Sequence, residues 1–205
     1  MTVSTSKVSP ADLDVDLLVL PFTKTPAQAR VEALAETLGA AVARAARGFE
    51  GAAGDLRVAY PEDAVAERVA LVGLGPSADL DAEAMRTAAA VGSDAARDYE
   101  ADTVGCLLPV EEELDDDTAA QSLVEGFELG AYQYRRYKTD DGFAGPSTFV
   151  LRVGDEHDAD AVQAGAERGH DLAQATCTAR DLVNRSPNDK TAEAFAETVA
   201  ESGAA

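Results

Sequence analysis

The sequence predicts a three-layer α/β/α sandwich with a largely parallel or mixed sheet, followed by a long helix. Short apolar runs alternate along the chain with longer segments of helical periodicity, and this alternation is typical of α/β domains. Several of the runs are almost continuously apolar, as expected for strands that are covered on both faces. A length of 205 residues suits one such domain with an appendage.

Five strands are predicted from apolar runs that end at Pro, Gly or acidic turns, and they span residues 14–21, 56–60, 68–73, 103–109 and 148–153. Three helices are predicted between them, at residues 26–47, 81–99 and 117–134. Gly39 is expected to weaken the first helix, because glycine is conformationally permissive. Acidic residues at the start of the other two suit a helix N-terminus.

The end of the chain has a different pattern. Residues 159–183 form one long helical segment, which is followed by a break at Ser186 and Pro187. A further helix is predicted over residues 191–201, and no strand follows it. We therefore expect this last helix to belong to a domain that the chain does not include.

The charge and composition of the chain limit the classes of molecule that it can bind. The chain carries 38 Asp and Glu against 17 Lys and Arg, a formal net charge of −21. This balance argues against nucleic acid and anionic membranes, because phosphate contacts need clustered cations. No signal peptide and no apolar run of about 18 residues is present, so we expect a soluble, cytoplasmic protein. Cys106 and Cys177 lack metal-ligand spacing and are expected to be buried free thiols.

The acidic surface predicts stabilisation by salt. Only four of the cations are Lys, while Asp, Glu and Ala are abundant, a bias that resembles halophilic proteins. Salt screens the repulsion between surface carboxylates. The midpoint of thermal unfolding should therefore rise between low and molar KCl, and an unchanged midpoint would contradict halophilic adaptation.

One segment near the end of the chain is distinctive. Residues 179–184 read ARDLVN, and Pro187, Asn188 and Thr191 follow them. This segment resembles the domain junction of the leucyl aminopeptidase family, which comprises hexameric, two-metal cytosolic exopeptidases. That junction often reads N-x-P-x-N-x-x-T-P, so this sequence departs from it in the place of its proline and in Ala192.

Two other segments extend the resemblance in the same order along the chain. Residues 130–138 (GAYQYRRYK) are similar to the family's G-A-x-x-x-x-R-Y-K stretch. Residues 69–75 (VALVGLG), with Arg86 on the next helix, are similar to its strand–glycine–helix pattern. The three segments cover most of residues 65–200, whereas the chain before about residue 60 carries no distinctive motif.

The resemblance implies a non-catalytic N-terminal domain similar to macro domains over residues 1–158, a linker helix over residues 159–184, and the start of the catalytic domain over residues 185–205. It implies a homo-hexameric parent enzyme that removes N-terminal residues from peptides. In the family the catalytic domain holds two divalent metals, Zn or Mn, partly within a stretch like NTDAEGRL, which this chain lacks. We therefore assign no catalytic, cofactor-binding or metal-binding residue and expect this part to be catalytically silent.

Two other functions stay open at this point. A macro-domain-like module would bind ADP-ribose or a related nucleotide, and a stand-alone interaction protein would end at Ala205. The turn at Gly73 and Gly75 suits a phosphate at a helix N-terminus, but so short a motif is more often a structural turn.

Three polar clusters have both a functional and a structural interpretation. The acidic run at residues 111–117 is expected to be a solvated loop before a helix rather than a cation site. His157 lies in the acidic turn of residues 155–160, which is a poor match to a closed metal site, and His170 is expected to be a packing or junction residue of the long helix. The tyrosines and basic residues at 132–138 could stack on bases, yet the net charge favours packing between domains or subunits, with Tyr134 buried on the helix face.

A fourth cluster lies at the end of the long helix and contains Arg180, Asp181, Asn184 and Asn188. Asn and Asp can satisfy free backbone groups at a helix terminus, and Arg can hold a carboxylate bidentately. We expect these residues to form a clamp that fixes the position of the next domain.

Overall fold

The computed structural model of the chain describes residues 1–24, 33–34, 37–62, 64–110, 113–139 and 142–202. Its strands are β1 (Thr2–Ser6), β2 (Leu17–Thr23), β3 (Leu56–Ala59), β4 (Arg68–Gly75), β5 (Thr103–Leu107) and β6 (Thr148–Arg152). Its helices are α1 (Ala40–Ala46), α2 (Ala82–Asp98), α3 (Asp116–Ala131), α4 (Ala159–Asn184) and α5 (Ala192–Ser202). Short 3-10 turns lie at Ser77–Asp79 and Pro187–Asp189.

The strands form one mixed sheet in the order β1-β6-β5-β2-β4-β3. Neighbouring strands are parallel except β3, which runs antiparallel to β4. Every residue of β2 is buried, which matches its almost continuous apolar run. The predicted mixed sheet is therefore confirmed.

Side chains on the two faces of the sheet form two separate cores. Leu17 of β2 belongs to the core that contains Phe127 of α3 and Phe149 of β6. Leu18 points to the opposite face and packs in the core that contains Val42 of α1. Helices α2, α3 and α4 thus cover one face and α1 covers the other, which confirms the three-layer sandwich. None of the helices in the described ranges is long and apolar enough to cross a bilayer.

Strand β1 is absent from the sequence-based prediction. Its residues mostly carry hydroxyl groups, and it is a partly exposed edge strand that pairs with β6. Strand β2 begins at Leu17 rather than at residue 14, because the carboxylate of Asp16 accepts hydrogen bonds from the backbone N–H groups of Asp102 and Thr103, at 2.8 and 2.7 Å. Burial raises the pKa of Asp16, but these hydrogen bonds outweigh it and hold the pKa below its ordinary value.

Two helix boundaries differ from the prediction. The helix predicted over residues 117–134 ends at Ala131, because Tyr132 leaves the helical conformation with a ψ of 127°. The placement of Tyr134 on this helix is therefore wrong. The helix predicted over residues 26–47 falls partly on residues 26–32 and 35–36, which lie outside the described part. The weak point at Gly39 is confirmed, since its φ of 94° breaks the helical backbone directly before α1.

The three helices on one face pack at close range through glycines. A Cβ placed on Gly126 of α3 would lie 2.2 Å from the carbonyl oxygen of Arg86 in α2. A Cβ placed on Gly165 of α4 would lie 2.2 Å from the carbonyl oxygen of Asp117 in α3. Gly130 and Gly169, four residues further on, continue the two contact lines on the same helix faces. These contacts set the position of α3 between its neighbours.

Candidate functional site

Tyr132, which directly follows α3, connects two of the segments that resemble the leucyl aminopeptidase family, residues 130–138 and residues 179–184. Its hydroxyl donates a hydrogen bond to Oδ1 of Asp181 at 2.7 Å and accepts one from Nδ2 of Asn184 at 3.2 Å. Burial and the hydrogen bond to Asp181 raise the pKa of Tyr132, so the phenol stays protonated and remains a donor at neutral pH. The long helix α4 is thereby tied to the residue that follows α3.

Arg180 strengthens the same contact. Its guanidinium lies over the ring of Tyr132, 5.4 Å from the ring centroid. Its NH1 group also donates to the carbonyl oxygen of Leu129 at 3.0 Å. That carbonyl belongs to the last turn of α3 and has no partner within the helix, so Arg180 caps α3 while it stacks on Tyr132.

Tyr137 makes the corresponding contact to the turn that follows α4. Its hydroxyl donates to Oδ2 of Asp189 at 2.7 Å and accepts from the backbone N–H of Ser186 at 2.8 Å. Tyr134 is partly buried and packs edge-on against Tyr137, with ring centroids 5.7 Å apart. The tyrosines expected to pack at an interface therefore contact the junction of their own chain.

The predicted clamp residues are brought together in part. Arg180, Asp181 and Asn184 meet at Tyr132, whereas Asn188 is exposed and makes no side-chain hydrogen bond in the ranges that the structure covers. The roles expected for them are wrong: Asp181 and Asn184 bond to the hydroxyl of Tyr132 instead of free backbone groups, and Arg180 donates to a backbone carbonyl instead of holding a carboxylate. Two residues of the site were missing from the predicted clamp, namely Tyr132 and Tyr137. The signal that points to them is their place in the second family-like segment. We call Tyr132, Tyr137, Arg180, Asp181 and Asn184 the junction cluster.

The histidines have structural partners. Nδ1 of His157, whose side chain is 3% exposed, lies 2.7 Å from Oδ1 of Asp116, and the other oxygen of Asp116 accepts from the backbone N–H of Asp158. Asp158 itself caps α4, so this network joins the first turns of α3 and α4. Nδ1 of His170 lies 2.5 Å from Oε1 of Glu128, which confirms His170 as a packing residue between α3 and α4.

The acidic run serves largely as a helix start. Oδ1 of Asp115 accepts from the backbone N–H of Thr118, and this hydrogen bond lowers the pKa of Asp115. Asp117 forms an ion pair with Arg168 of α4 at 2.9 Å. Glu111 and Glu112 lie outside the described residues.

The turn at Gly73 and Gly75 is structural. The backbone N–H of Gly73 donates to the carbonyl oxygen of Asp55, and that of Gly75 donates to Gly51, both at 2.9 Å. A Cβ on Gly73 would lie 1.9 Å from the carbonyl oxygen of Ala52, so this glycine is required by packing. These amides have partners within the chain and do not form a phosphate cradle.

The two thiols differ in burial. Cys106 is buried as expected, and burial raises the pKa of its thiol to about 12. Cys177 is only partly buried, and burial again raises its pKa. Both are free, so the expectation of buried free thiols is confirmed for Cys106 and in part for Cys177.

A cleft of about 260 Å³ opens at the carboxyl ends of β2, β5 and β6. Its wall is mostly apolar, and two charged side chains, Arg152 and Glu156, also line it. The apolar lining includes Leu20, Phe22, Leu34, Leu108, Pro109 and Val110. We call this the carboxyl-end cleft. It is missing from the sequence-based prediction, although the carboxyl ends of parallel strands are the usual place for ligands in open α/β sheets.

The chain resembles proteins of one enzyme family in sequence. Residues 19–141 match the family model described as "Cytosol aminopeptidase family, N-terminal domain". A probable cytosol aminopeptidase of Roseiflexus castenholzii is 34% identical over 73% of this chain and 31% of its own length. Another, of Chloroherpeton thalassium, is 31% identical over 99% of this chain and 43% of its own length. The chain thus spans less than half the length of either relative.

Two solved structures share the fold. The bottromycin maturation enzyme BotP in complex with Mn superposes with a TM-score of 0.69 and 27% identity, over 91% of this chain and 35% of that chain. A tomato leucine aminopeptidase mutant superposes with a TM-score of 0.71 over 96% of this chain and 41% of that chain, and its 19% identity supports the fold alone. The family model covers more than half of the chain, and on that match the chain belongs to the cytosol aminopeptidase family, in the region of its N-terminal domain.

Proposed function

We propose that this chain is the non-catalytic N-terminal part of a cytoplasmic, metal-dependent leucyl aminopeptidase, and that it positions a catalytic part that removes residues from peptide N-termini. Family membership supports the activity, and the complex of BotP with Mn supports the metal dependence. In the catalytic part, two metals would activate water and polarise the peptide carbonyl. Across the described residues, His, Cys, Asp and Glu side chains form no group of three or more suited to a metal ion. These residues do not fit the implied metals, and we derive no catalytic step from them.

The observation that carries this proposal is the junction cluster. Tyr132 belongs to one family-like segment, and Asp181 and Asn184 belong to another that lies about fifty residues away along the chain. Their hydrogen bonds hold the C-terminal end of α4 against the domain. A segment that follows α4 therefore begins at a fixed position and in a fixed direction. A catalytic domain whose position is set by the N-terminal domain needs such a fixed start.

Exposed apolar residues on α4 and α5 support the proposal that another part of a larger protein covers these helices. Leu172 and Val183 of α4 are 48% and 74% exposed, and Phe195 and Val199 of α5 are 48% and 50% exposed. Large apolar side chains that stay exposed on a domain can mark a surface that another part of the protein covers. We propose that the catalytic part, or a neighbouring copy in a hexamer, covers them.

The first test compares the chain alone with the protein extended by its own downstream coding sequence. The extended protein should hydrolyse a leucine amide in the presence of Mn²⁺ or Zn²⁺, and the chain alone should not. Metal-dependent turnover by the pure chain would overturn the assignment as a non-catalytic part. An inactive but folded and metal-loaded extended protein would overturn the assignment to an aminopeptidase.

The same proposal predicts the effect of removing one hydroxyl group. Tyr132→Phe keeps the ring under Arg180 but loses both hydrogen bonds to α4, which should destabilise the chain by about 1–2 kcal/mol. In the extended protein, Asp181→Ala should lower the melting temperature and the hexamer content. Tyr60→Phe is the matched control, because Tyr60 is 59% exposed and lies away from the junction cluster. Unchanged melting and assembly of both junction variants would show that the cluster does not act as a clamp.

A further inference from the structure

The carboxyl-end cleft has the chemistry of a binding site that the proposed scaffold role does not use. Its wall is built largely from side chains that the fold already holds in place, such as Leu20, Phe22 and Leu108, which are 1%, 3% and 5% exposed. Val110 is 42% exposed and also lines the cleft. Such a preformed, mostly apolar concavity with a few polar groups is typical of small-molecule sites.

Two opposite charges line this apolar cleft without neutralising each other. Nε of Arg152 donates to the carbonyl oxygen of Val8 at 3.2 Å, which holds the guanidinium in place, and within the described residues its terminal nitrogens have no partner. The carboxylate of Glu156 lies over Gly154, where a Cβ would come within 2.2 Å of Oε1. Its nearest basic group among the residues described is Nε2 of His157, at 3.7 Å. Arg152 and Glu156 are therefore both available to a ligand.

The size of the cleft limits the ligand. A volume of about 260 Å³ lies just below the range of about 300–1,000 Å³ that is usual for drug-sized molecules. The cleft therefore suits a molecule of the size of one amino acid rather than a dinucleotide. One cation, one anion and an apolar wall are complementary to a carboxylate, an ammonium group and an aliphatic side chain.

We propose that the carboxyl-end cleft binds a free aliphatic α-amino acid such as leucine. Its carboxylate pairs with Arg152, its ammonium group pairs with Glu156, and its side chain packs against Leu108 and the other apolar residues. The choice among zwitterions rests on the proposed function, because amino acids of this kind are the products that an aminopeptidase releases. The cleft then acts as a product-sensing site outside the catalytic part.

Isothermal titration calorimetry on the pure chain tests this proposal without any catalytic readout. Leucine should bind saturably with a Kd on the order of 1 mM, as expected for so few atoms. Glycine lacks the aliphatic side chain, 4-methylpentanoate lacks the ammonium group, and leucinamide lacks the carboxylate. Each should bind at least about tenfold more weakly, since each leaves one part of the cleft without a partner. Equal binding of leucine and 4-methylpentanoate would overturn the proposal, as would tighter binding of ADP-ribose.

Two variants locate the site. Arg152→Met and Glu156→Gln should each weaken leucine binding by about tenfold or more, through the loss of one charged contact. Arg97→Met and Glu83→Gln are matched controls, because both residues lie on α2 and line no part of the cleft. Circular dichroism melting checks that all four variants fold. Unchanged binding in the folded Arg152 and Glu156 variants, or no binding by the parent chain, would overturn the proposal.

These outcomes are separable from those that test the proposed function. Leucine binding by the chain together with an inactive extended protein would contradict the aminopeptidase and leave the cleft assignment in place. Peptide hydrolysis by the extended protein together with a silent titration would contradict the cleft assignment alone.

Discussion

Replacing Gly126 by alanine is expected to destabilise the chain by about 3 kcal/mol, near the upper end of the usual cost of overpacking. The added Cβ would lie 2.2 Å from the carbonyl oxygen and 2.5 Å from the Cα atom of Arg86. Both are backbone atoms, so relief requires that α2 and α3 move apart. Helix propensity alone predicts the opposite sign, because alanine is better than glycine in a helix interior by about 1 kcal/mol.

The experiment decides whether Gly126→Ala lowers or raises the free energy of unfolding. Urea unfolding followed by circular dichroism gives the free energy of unfolding of each variant. Gly48→Ala is the control, because Gly48 has a φ of 69° and no neighbouring atom within 4 Å of the added Cβ. This control should cost about 1–2 kcal/mol from backbone strain alone. A Gly126→Ala chain as stable as the parent, or more stable, would show that α2 and α3 are not in close backbone contact.

The close contacts of the helices bear directly on the junction cluster. Gly126 and Gly130 set the distance of α3 from α2, and Gly165 and Gly169 set the distance of α4 from α3. Tyr132 follows the last residue of α3, so its reach to Asp181 on α4 depends on that second distance. We therefore expect Gly165→Ala to weaken the junction cluster although it lies more than a dozen residues from Asp181 in the chain.

Most of the fold could be predicted, because the apolar runs in the sequence coincide with strands of the central sheet. Strands β2 and β4 are almost wholly buried, β5 is buried at its centre and β6 at alternate residues, and their apolar runs are visible without any structure. Strand β1 was not predicted, because an edge strand needs little apolar surface and Thr2–Ser6 is mostly polar. The end of α3 was misplaced because Tyr134 continues the helical spacing of apolar residues after the backbone has left the helix.

The candidate sites were less predictable, for a geometric reason. Polar residues at the end of α4 are evident from the sequence, but their partners Tyr132 and Tyr137 lie about fifty residues earlier. Only the packing of α3 against α4 brings them together. The carboxyl-end cleft combines the ends of three strands; Arg152 belongs to no motif, and Glu156 lies in the acidic turn of residues 155–160, whose pattern does not indicate a cleft.

Replacing Phe149 by alanine is expected to destabilise the chain by about 4 kcal/mol, as for other deletions of a buried aromatic ring. Phe149 lies on β6 and is fully buried. Its ring stacks on that of Phe127 in α3, with the ring centroids 4.2 Å apart and an angle of 23° between the planes. The pair attaches α3 to the sheet, and α3 in turn carries Tyr132 toward the junction cluster.

Urea unfolding again measures the loss, with Phe195→Ala as the matched control. Phe195 lies on α5 and is 48% exposed, so the same chemical change there should cost no more than about 0.5 kcal/mol. A double-mutant cycle with Phe127→Ala isolates the contact between the two rings, and we expect a coupling energy of about 1 kcal/mol. If the two losses add without coupling, the rings are buried independently and the stacked pair does not attach α3 to the sheet. If Phe149→Ala costs no more than Phe195→Ala, β6 does not lie in the core, and both the junction cluster and the carboxyl-end cleft lose the strand that supports them.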